Sequence, residues 1–106
     1  MFQLESLTLK TLTEIRPLLG AIERADRDLG RQLRRAGSSM LLNVSESVYV
    51  RGARRREQLR VAAGSANEVR AALRLAEAWG YVEAGSVAAV LERLDHCIAV
   101  LWKLMR

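Results

Sequence analysis

Apolar residues recur every three or four positions along four successive segments of this 106-residue chain. That spacing places the apolar side chains on one stripe of an α-helix, so it predicts an amphipathic helix for each segment. The predicted helices span about residues 4–24, 28–51, 53–79 and 86–105. The chain has one proline, Pro17, and we expect it to kink or interrupt the first helix.

Short turns separate the predicted helices. We expect Asp28 and Ser86 to cap the second and fourth helices, because their side-chain oxygens can accept the free amides of a first turn. Gly52 and Gly80 are expected to end the second and third helices. The chain is therefore predicted to be all-α, a single domain over residues 1–106 folded as an antiparallel up-down-up-down four-helix bundle.

Small residues mark the inward positions of the second and third helices. We expect these two helices to form the tight centre of the bundle, because Ala, Gly and Ser let helix axes approach closely. Gly64 lies in the middle of the third helix, where glycine costs about 1 kcal/mol relative to alanine. We expect close helix packing at Gly64 to offset this loss of helix propensity.

Several classes of protein do not fit this composition. The single cysteine, Cys97, rules out an internal disulfide and is compatible with a reducing compartment. The first residues lack the basic and apolar regions of a signal peptide, and no apolar stretch approaches the ~20 residues that cross a bilayer. We therefore expect a cytoplasmic protein with no membrane association.

The chain is basic, with 17 Lys and Arg residues against 12 Asp and Glu residues and a pI near 10.3. Such a charge favours a polyanionic partner such as nucleic acid or an anionic membrane. Almost all of the cations are arginine, which binds phosphate through two parallel hydrogen bonds. A coding bias that replaces lysine by arginine explains the arginine excess equally well.

The third predicted helix carries an arginine ridge beside its apolar face. Arg56, Arg60 and Arg74 fall with Arg70 within an arc of roughly 80°, which suits phosphates spaced along a nucleic-acid backbone. Turn arginines extend the ridge, and the complete candidate set is Arg51, Arg54, Arg55, Arg56, Arg60, Arg70 and Arg74. The alternative is a solvated helix face whose charge is partly offset by nearby glutamates. No aromatic residue interleaves these arginines in the sequence, so base stacking is not predicted.

Two further groups of residues are of types that can carry chemistry. Asn43, Glu46 and Ser47 share a face of the second helix, where we expect them to form a structural polar cluster. His96 and Cys97 are adjacent, so they point about 100° apart and cannot act as a pair. No helix offers a nucleophile, a base and an orienting group together, so the sequence predicts no enzyme, no cofactor and no metal site.

Two long motifs resemble the signatures of a known family. Residues 32–47 read QLRRAGSSMLLNVSES, and residues 59–82 read LRVAAGSANEVRAALRLAEAWGYV. Both motifs, at this separation, resemble the four helix bundle protein family, which includes proteins encoded in 23S ribosomal-RNA intervening sequences. The resemblance covers roughly Asp26 to Arg106. Ser45 and Ser47 replace the usual Ala and Gly of the first signature.

The resemblance implies an assembly and a partner. It implies a left-handed bundle that forms a homopentamer with a central channel. It further implies a likeness to accessory proteins of diversity-generating retroelements, which resemble pentamers that bind nucleic acid and a reverse transcriptase through a basic surface. We therefore expect a non-enzymatic homo-oligomer that binds RNA or DNA backbone, with a second protein such as a reverse transcriptase as a further partner. A ring that acts only as a protein-interaction scaffold is the alternative.

Overall fold

The computed structural model describes residues 2–106, which form four α-helices. Their bounds are α1 Phe2–Ala25, α2 Arg27–Ser47, α3 Gly52–Ala78 and α4 Ala88–Met105. No β-strand occurs between residues 2 and 106, so the prediction of an all-α chain with four helices is confirmed. The 27 residues of α3 span about 40 Å at 1.5 Å per residue. Because the molecule measures 42 × 23 × 18 Å, its helices run along the long axis.

The core consists of two clusters, one toward each end of the molecule. Each helix packs against two neighbours, in the order α1, α2, α3, α4 and back to α1. The larger cluster includes Ile22, Leu73 and Leu94. The smaller cluster joins residues from all four helices, namely Leu4, Val44, Leu59, Ala62, Ala63 and Leu101. The start of α1, the end of α2, the start of α3 and the end of α4 therefore meet at one end.

The most extensive helix packing lies between α2 and α3, where the sequence predicts the centre of the bundle, but Gly64 does not contribute to it. The contact between α2 and α3 is the most extensive in the molecule, and Ser65 Oγ donates a hydrogen bond to Ser39 Oγ at 2.9 Å across it. Gly64 itself is exposed, and an added Cβ there would meet nothing within 4 Å. The expectation for Gly64 is wrong, because the residue lies on the outer face of α3 while the adjacent Ser65 points inward.

Gly30 takes the close approach instead, between α2 and α1. This glycine is buried, and an added Cβ would lie 3.0 Å from the Cα of Glu23 and would also clash with the Glu23 side chain. The first turn of α2 therefore packs directly on the backbone of α1.

The turns correct three of the predicted helix ends. Asp26, not Asp28, caps α2: its backbone is extended and its Oδ1 accepts the amide of Leu29 at 3.0 Å. Asp28 lies one residue inside the helix, where its carboxylate instead accepts hydrogen bonds from the side chains of Arg31 and Gln32. In place of Ser86, Val87 precedes α4, because the Ser86 hydroxyl donates to the carbonyl of Glu83 within the turn.

The second helix ends at Ser47, four residues before the predicted end at Arg51. The Ser47 hydroxyl donates to the carbonyl of Val44 at 2.7 Å and so competes with the helical backbone pattern. The amide of Tyr49 closes a tighter turn onto the carbonyl of Glu46 at 3.0 Å. Gly52 then begins α3 with φ +63°, a left-handed conformation that favours glycine.

The proline of α1 does not interrupt its helix. Pro17 is exposed and lies inside an uninterrupted helical span. Its ring removes one backbone hydrogen bond, which water can satisfy at the exposed surface. The expected interruption at Pro17 is therefore wrong.

Candidate nucleic-acid interface

The predicted ridge is divided along α3 by its carboxylate neighbours. Arg70 is half-buried, and its Nε lies 3.1 Å from Oδ1 of Asp95 on α4. This ion pair places Arg70 at the edge where α3 borders α4. Arg74 is exposed one turn further along the same edge. These two arginines lie away from the end of the molecule where the small core cluster sits.

Arg60 is engaged by a carboxylate of its own helix. Its Nε and Nη2 donate to the two carboxylate oxygens of Glu57 at 3.0 and 2.7 Å. This hydrogen bonding lowers the pKa of the Glu57 carboxyl and raises the pKa of the Arg60 guanidinium. Both side chains are well exposed, so water screens the pair and a competing phosphate can displace the carboxylate at little cost.

The arginines of the α2–α3 turn and the start of α3 are the most available. Arg51, Arg54 and Arg56 are exposed, and no carboxylate of residues 2–106 lies within 4.0 Å of their guanidinium nitrogens. Arg55 is half-buried beside them. Exposed guanidinium groups without a carboxylate partner retain their full capacity for bidentate hydrogen bonds to phosphate.

Two segments of the chain together carry a charge equal to its net charge of +5. Residues 46–60 contain five arginines and two glutamates, and residues 101–106 contain Lys103 and Arg106. Seven of the 17 cationic residues and two of the 12 acidic ones thus lie in these two segments, which leaves ten of each sign elsewhere. The small core cluster brings Leu59 and Leu101, one from each segment, together. We call these two segments the basic end.

Two exposed aromatic side chains accompany the basic end, and only Tyr49 is near its arginines in the sequence. Tyr49, in the α2–α3 turn, is 86% exposed, and Trp102 of α4 is 52% exposed. Trp102 lies seven residues after Asp95 and therefore on the same face of α4, the face that borders α3. No aromatic residue separates the arginines along the sequence. In three dimensions an aromatic residue does lie near them, because Trp102 comes from α4.

The three residues of the predicted polar cluster on α2 each have a partner, although none is bonded to another member of the cluster. Asn43 donates to the carbonyl of Ser39 at 2.8 Å, and Ser47 bonds the backbone of its own helix. Glu46 reaches across to α3, where its Oε2 accepts from the side chain of Gln58 at 2.6 Å. These contacts fasten the end of α2 to α3 just before the basic turn.

Two titratable residues outside the basic end, Tyr81 and Cys97, have perturbed pKa values. His96 is exposed, whereas Cys97 is buried with its Sγ 3.7 Å from Oγ1 of Thr11 on α1. Burial raises the pKa of the Cys97 thiol. The Tyr81 hydroxyl donates to Oδ2 of Asp26 at 3.2 Å, and partial desolvation together with this carboxylate raises the pKa of Tyr81.

Two kinds of site are not found among residues 2–106. No group of three or more His, Cys, Asp and Glu side chains is arranged to hold a metal ion there. None of the helices in that range combines the length and the apolar character that a bilayer crossing requires.

Comparison with known proteins finds a family and a solved structure. The family model described as 23S rRNA-intervening sequence protein matches residues 9–103. A crystal structure from Bacteroides thetaiotaomicron VPI-5482, of a protein with unknown function from the S23 ribosomal protein family, superposes with a TM-score of 0.84 at 17% sequence identity. That superposition covers 97% of this chain and 98% of the other, and it shows the same fold. The search of curated proteins gives no match.

Proposed function

Because this chain belongs to the 23S rRNA-intervening sequence protein family, we propose that it is a non-enzymatic, homo-oligomeric bundle that binds the backbone of RNA or DNA. The observation that carries the proposal is that the basic end alone has a charge of +5, while the charged residues elsewhere sum to zero. Phosphate contacts would come from Arg51, Arg54 and Arg56, with Arg55 and Arg60 beside them. Arg70 and Arg74 extend the contact only for a ligand that follows the α3–α4 edge.

The antiparallel arrangement of the helices belongs to the same proposal. Between α2 and α3, Ser39 is hydrogen-bonded to Ser65 and Glu46 to Gln58. The partner on α3 therefore comes seven residues earlier in the chain when the residue on α2 comes seven residues later. Between α1 and α4, Thr11 pairs with Cys97 and Glu14 with Arg93 in the same reversed order. An up-down bundle accounts for these pairs. It also explains how segments far apart in the chain contribute to one basic end.

Binding through this surface would read charge rather than base sequence. Guanidinium contacts to phosphate position a nucleic acid but carry no sequence information. Each neutralised phosphate releases counterions, so affinity should fall steeply as salt rises. Repetition of the basic end in a ring would multiply the effect, because several weak contacts on one polymer act together.

Assembly into a ring is supported by exposed apolar residues on α2 and α3. Leu42 of α2 is 58% exposed. On α3, Val61 is 38% exposed and Leu75 is 43% exposed. Burying such side chains against a second copy would remove apolar surface from water. We propose a pentamer, whose mass by light scattering would be five times the chain mass of 11.8 kDa. A monomer mass contradicts this part of the proposal.

A titration of nucleic acid against salt tests the binding. We expect a mixed-sequence RNA or DNA duplex to bind at low salt, with log affinity falling linearly with log salt concentration because counterions are released. Fluorescence anisotropy of a labelled duplex measures this slope. Absence of binding at low salt, with the ring retained, contradicts the proposal and favours the protein-interaction scaffold that the exposed apolar residues also fit.

A further inference from the structure

The basic end combines phosphate-binding cations with surfaces on which bases can stack. Tyr49 precedes Arg51 by two residues, so their Cα atoms lie within about 7.6 Å of each other. Tyr49 is 86% exposed, so both faces of its phenol ring are largely open to solvent. Exposed aromatic rings beside arginines are the arrangement that proteins use to hold unpaired bases.

Trp102 supplies a second ring at the same end of the molecule. It follows Leu101, which packs with Leu59 and Ala63 of α3 in the small core cluster. Helix α3 packs against both α2 and α4, so the start of α3 adjoins the turn that carries Tyr49 and the end of α4 that carries Trp102. Lys103 and Arg106 are exposed beside Trp102 and add cations on that side.

We propose that the basic end binds single-stranded nucleic acid in preference to duplex, with bases stacked on Tyr49 and Trp102 and phosphates held by Arg51, Arg54 and Arg56. The preference has a simple physical origin. The bases of a duplex are stacked on each other and closed to side chains, whereas those of a single strand present free faces. This inference rests on the proposed nucleic-acid binding and specifies its substrate.

Carboxylates near the site do not oppose such a ligand strongly. Glu46 is hydrogen-bonded to Gln58, and Glu57 is held by Arg60. Asp95 lies two helical turns from Trp102 and is engaged by Arg70. Glu46, Glu57 and Asp95 are therefore each occupied by a partner.

A comparison of two probes tests the preference. We expect a 20-nucleotide oligo(dT) to bind more tightly than a mixed-sequence duplex of 20 base pairs at the same salt concentration. Tyr49→Ala and Trp102→Ala should each weaken oligo(dT) binding by about fivefold to a hundredfold, the effect of losing one stacked base. Duplex binding should weaken less than oligo(dT) binding, because a duplex offers no free base faces to these rings. Tyr49→Phe and Trp102→Phe keep a ring and should bind oligo(dT) nearly as the parent does.

Trp79 provides the matched control. It is 69% exposed, but it ends α3 at the other end of the molecule. Trp79→Ala should leave oligo(dT) binding unchanged. In a Trp79→Phe protein, Trp102 is the one tryptophan left in the sequence, so oligo(dT) should quench the remaining fluorescence as a base stacks on it.

Several results would overturn the inference. Oligo(dT) affinity that survives both alanine changes, equal weakening in Trp79→Ala, or no quenching of Trp102 would remove the stacking role. A change in the mass of Tyr49→Ala by light scattering would place that ring between copies of the chain instead. Duplex binding without single-strand preference contradicts this inference and leaves the proposed function standing, whereas failure of both probes to bind contradicts both.

Discussion

At the residue scale, two glycines of this chain have opposite roles. Gly30 is buried where α2 meets α1, and Gly64 stands on the open outer face of α3. A sequence shows both simply as glycines within helices. It was possible to predict that one of them permits close packing, but not which one, because that depends on the rotation of each helix toward its neighbours.

Matched alanine substitutions test these two roles. Gly30→Ala should destabilise the protein by about 1–3 kcal/mol, because the new methyl group must displace Glu23 and its backbone. Gly64→Ala should stabilise it by up to about 1 kcal/mol, since alanine has the higher helix propensity and finds open space. Urea unfolding at one protein concentration measures both. Equal effects of the two changes would contradict the packing described here.

At the scale of the elements, the periodic pattern predicted the four helices well and their ends less well. Apolar spacing fixes where a helix must be, because the buried stripe in each segment has to reach the core. The ends depend on which of several polar side chains turns back to the backbone. Asp26 and Asp28 are equally good caps by composition, and only the extended backbone at Asp26 decides between them.

The buried Cys97 thiol, between α1 and α4, makes the free energy of unfolding depend on pH in the alkaline range. Burial raises the pKa of the Cys97 thiol above its usual 9.0, and the hydrogen bond with Thr11 offsets only part of that shift. As pH rises through about 9, the unfolded chain releases this proton and the folded chain keeps it. The free energy of unfolding should therefore fall until the pH passes the pKa of the folded state.

Urea unfolding at pH 8 and pH 10 checks this expectation. The parent should lose more stability between the two pH values than Cys97→Ala, which has no thiol to ionise. The absolute stability of the variant is lower at both pH values because it leaves a cavity, so the comparison concerns the difference between them. Identical losses in the two proteins would show that Cys97 does not contribute.

At the scale of the whole molecule, the candidate site was predicted in part. The sequence located the arginines between residues 51 and 60, since charge is visible in one dimension. It also grouped Arg70 and Arg74 with them, and the structure separates these by placing Asp95 of α4 against Arg70. Trp102 and Lys103 join the site from a distant segment, so only the folded chain brings them into view.

The same spatial view changes how the basic character is understood. A net charge of +5 spread evenly over the surface would indicate little beyond solubility. Here the cations and anions outside the basic end balance, and the excess lies at one end of a molecule 42 Å long. Such an uneven charge should orient the molecule toward a polyanion.

Two triple variants with the same net charge test the central claim most directly. One carries Arg54→Ala, Arg55→Ala and Arg56→Ala at the basic end. The other carries changes of three exposed arginines elsewhere, Arg24→Ala, Arg27→Ala and Arg35→Ala, none of which has a carboxylate of residues 2–106 within 4.0 Å. The slope of log affinity against log salt concentration for a labelled nucleic acid is measured for both and for the parent.

We expect the basic-end variant to bind more weakly, with a slope shallower by about 0.7–0.9 for each phosphate that the variant no longer neutralises. The second variant should keep nearly the slope of the parent, because its charge change lies outside the site. Equal slopes and equal affinities in the two variants would show that net charge alone governs binding, and would contradict a nucleic-acid site at the basic end.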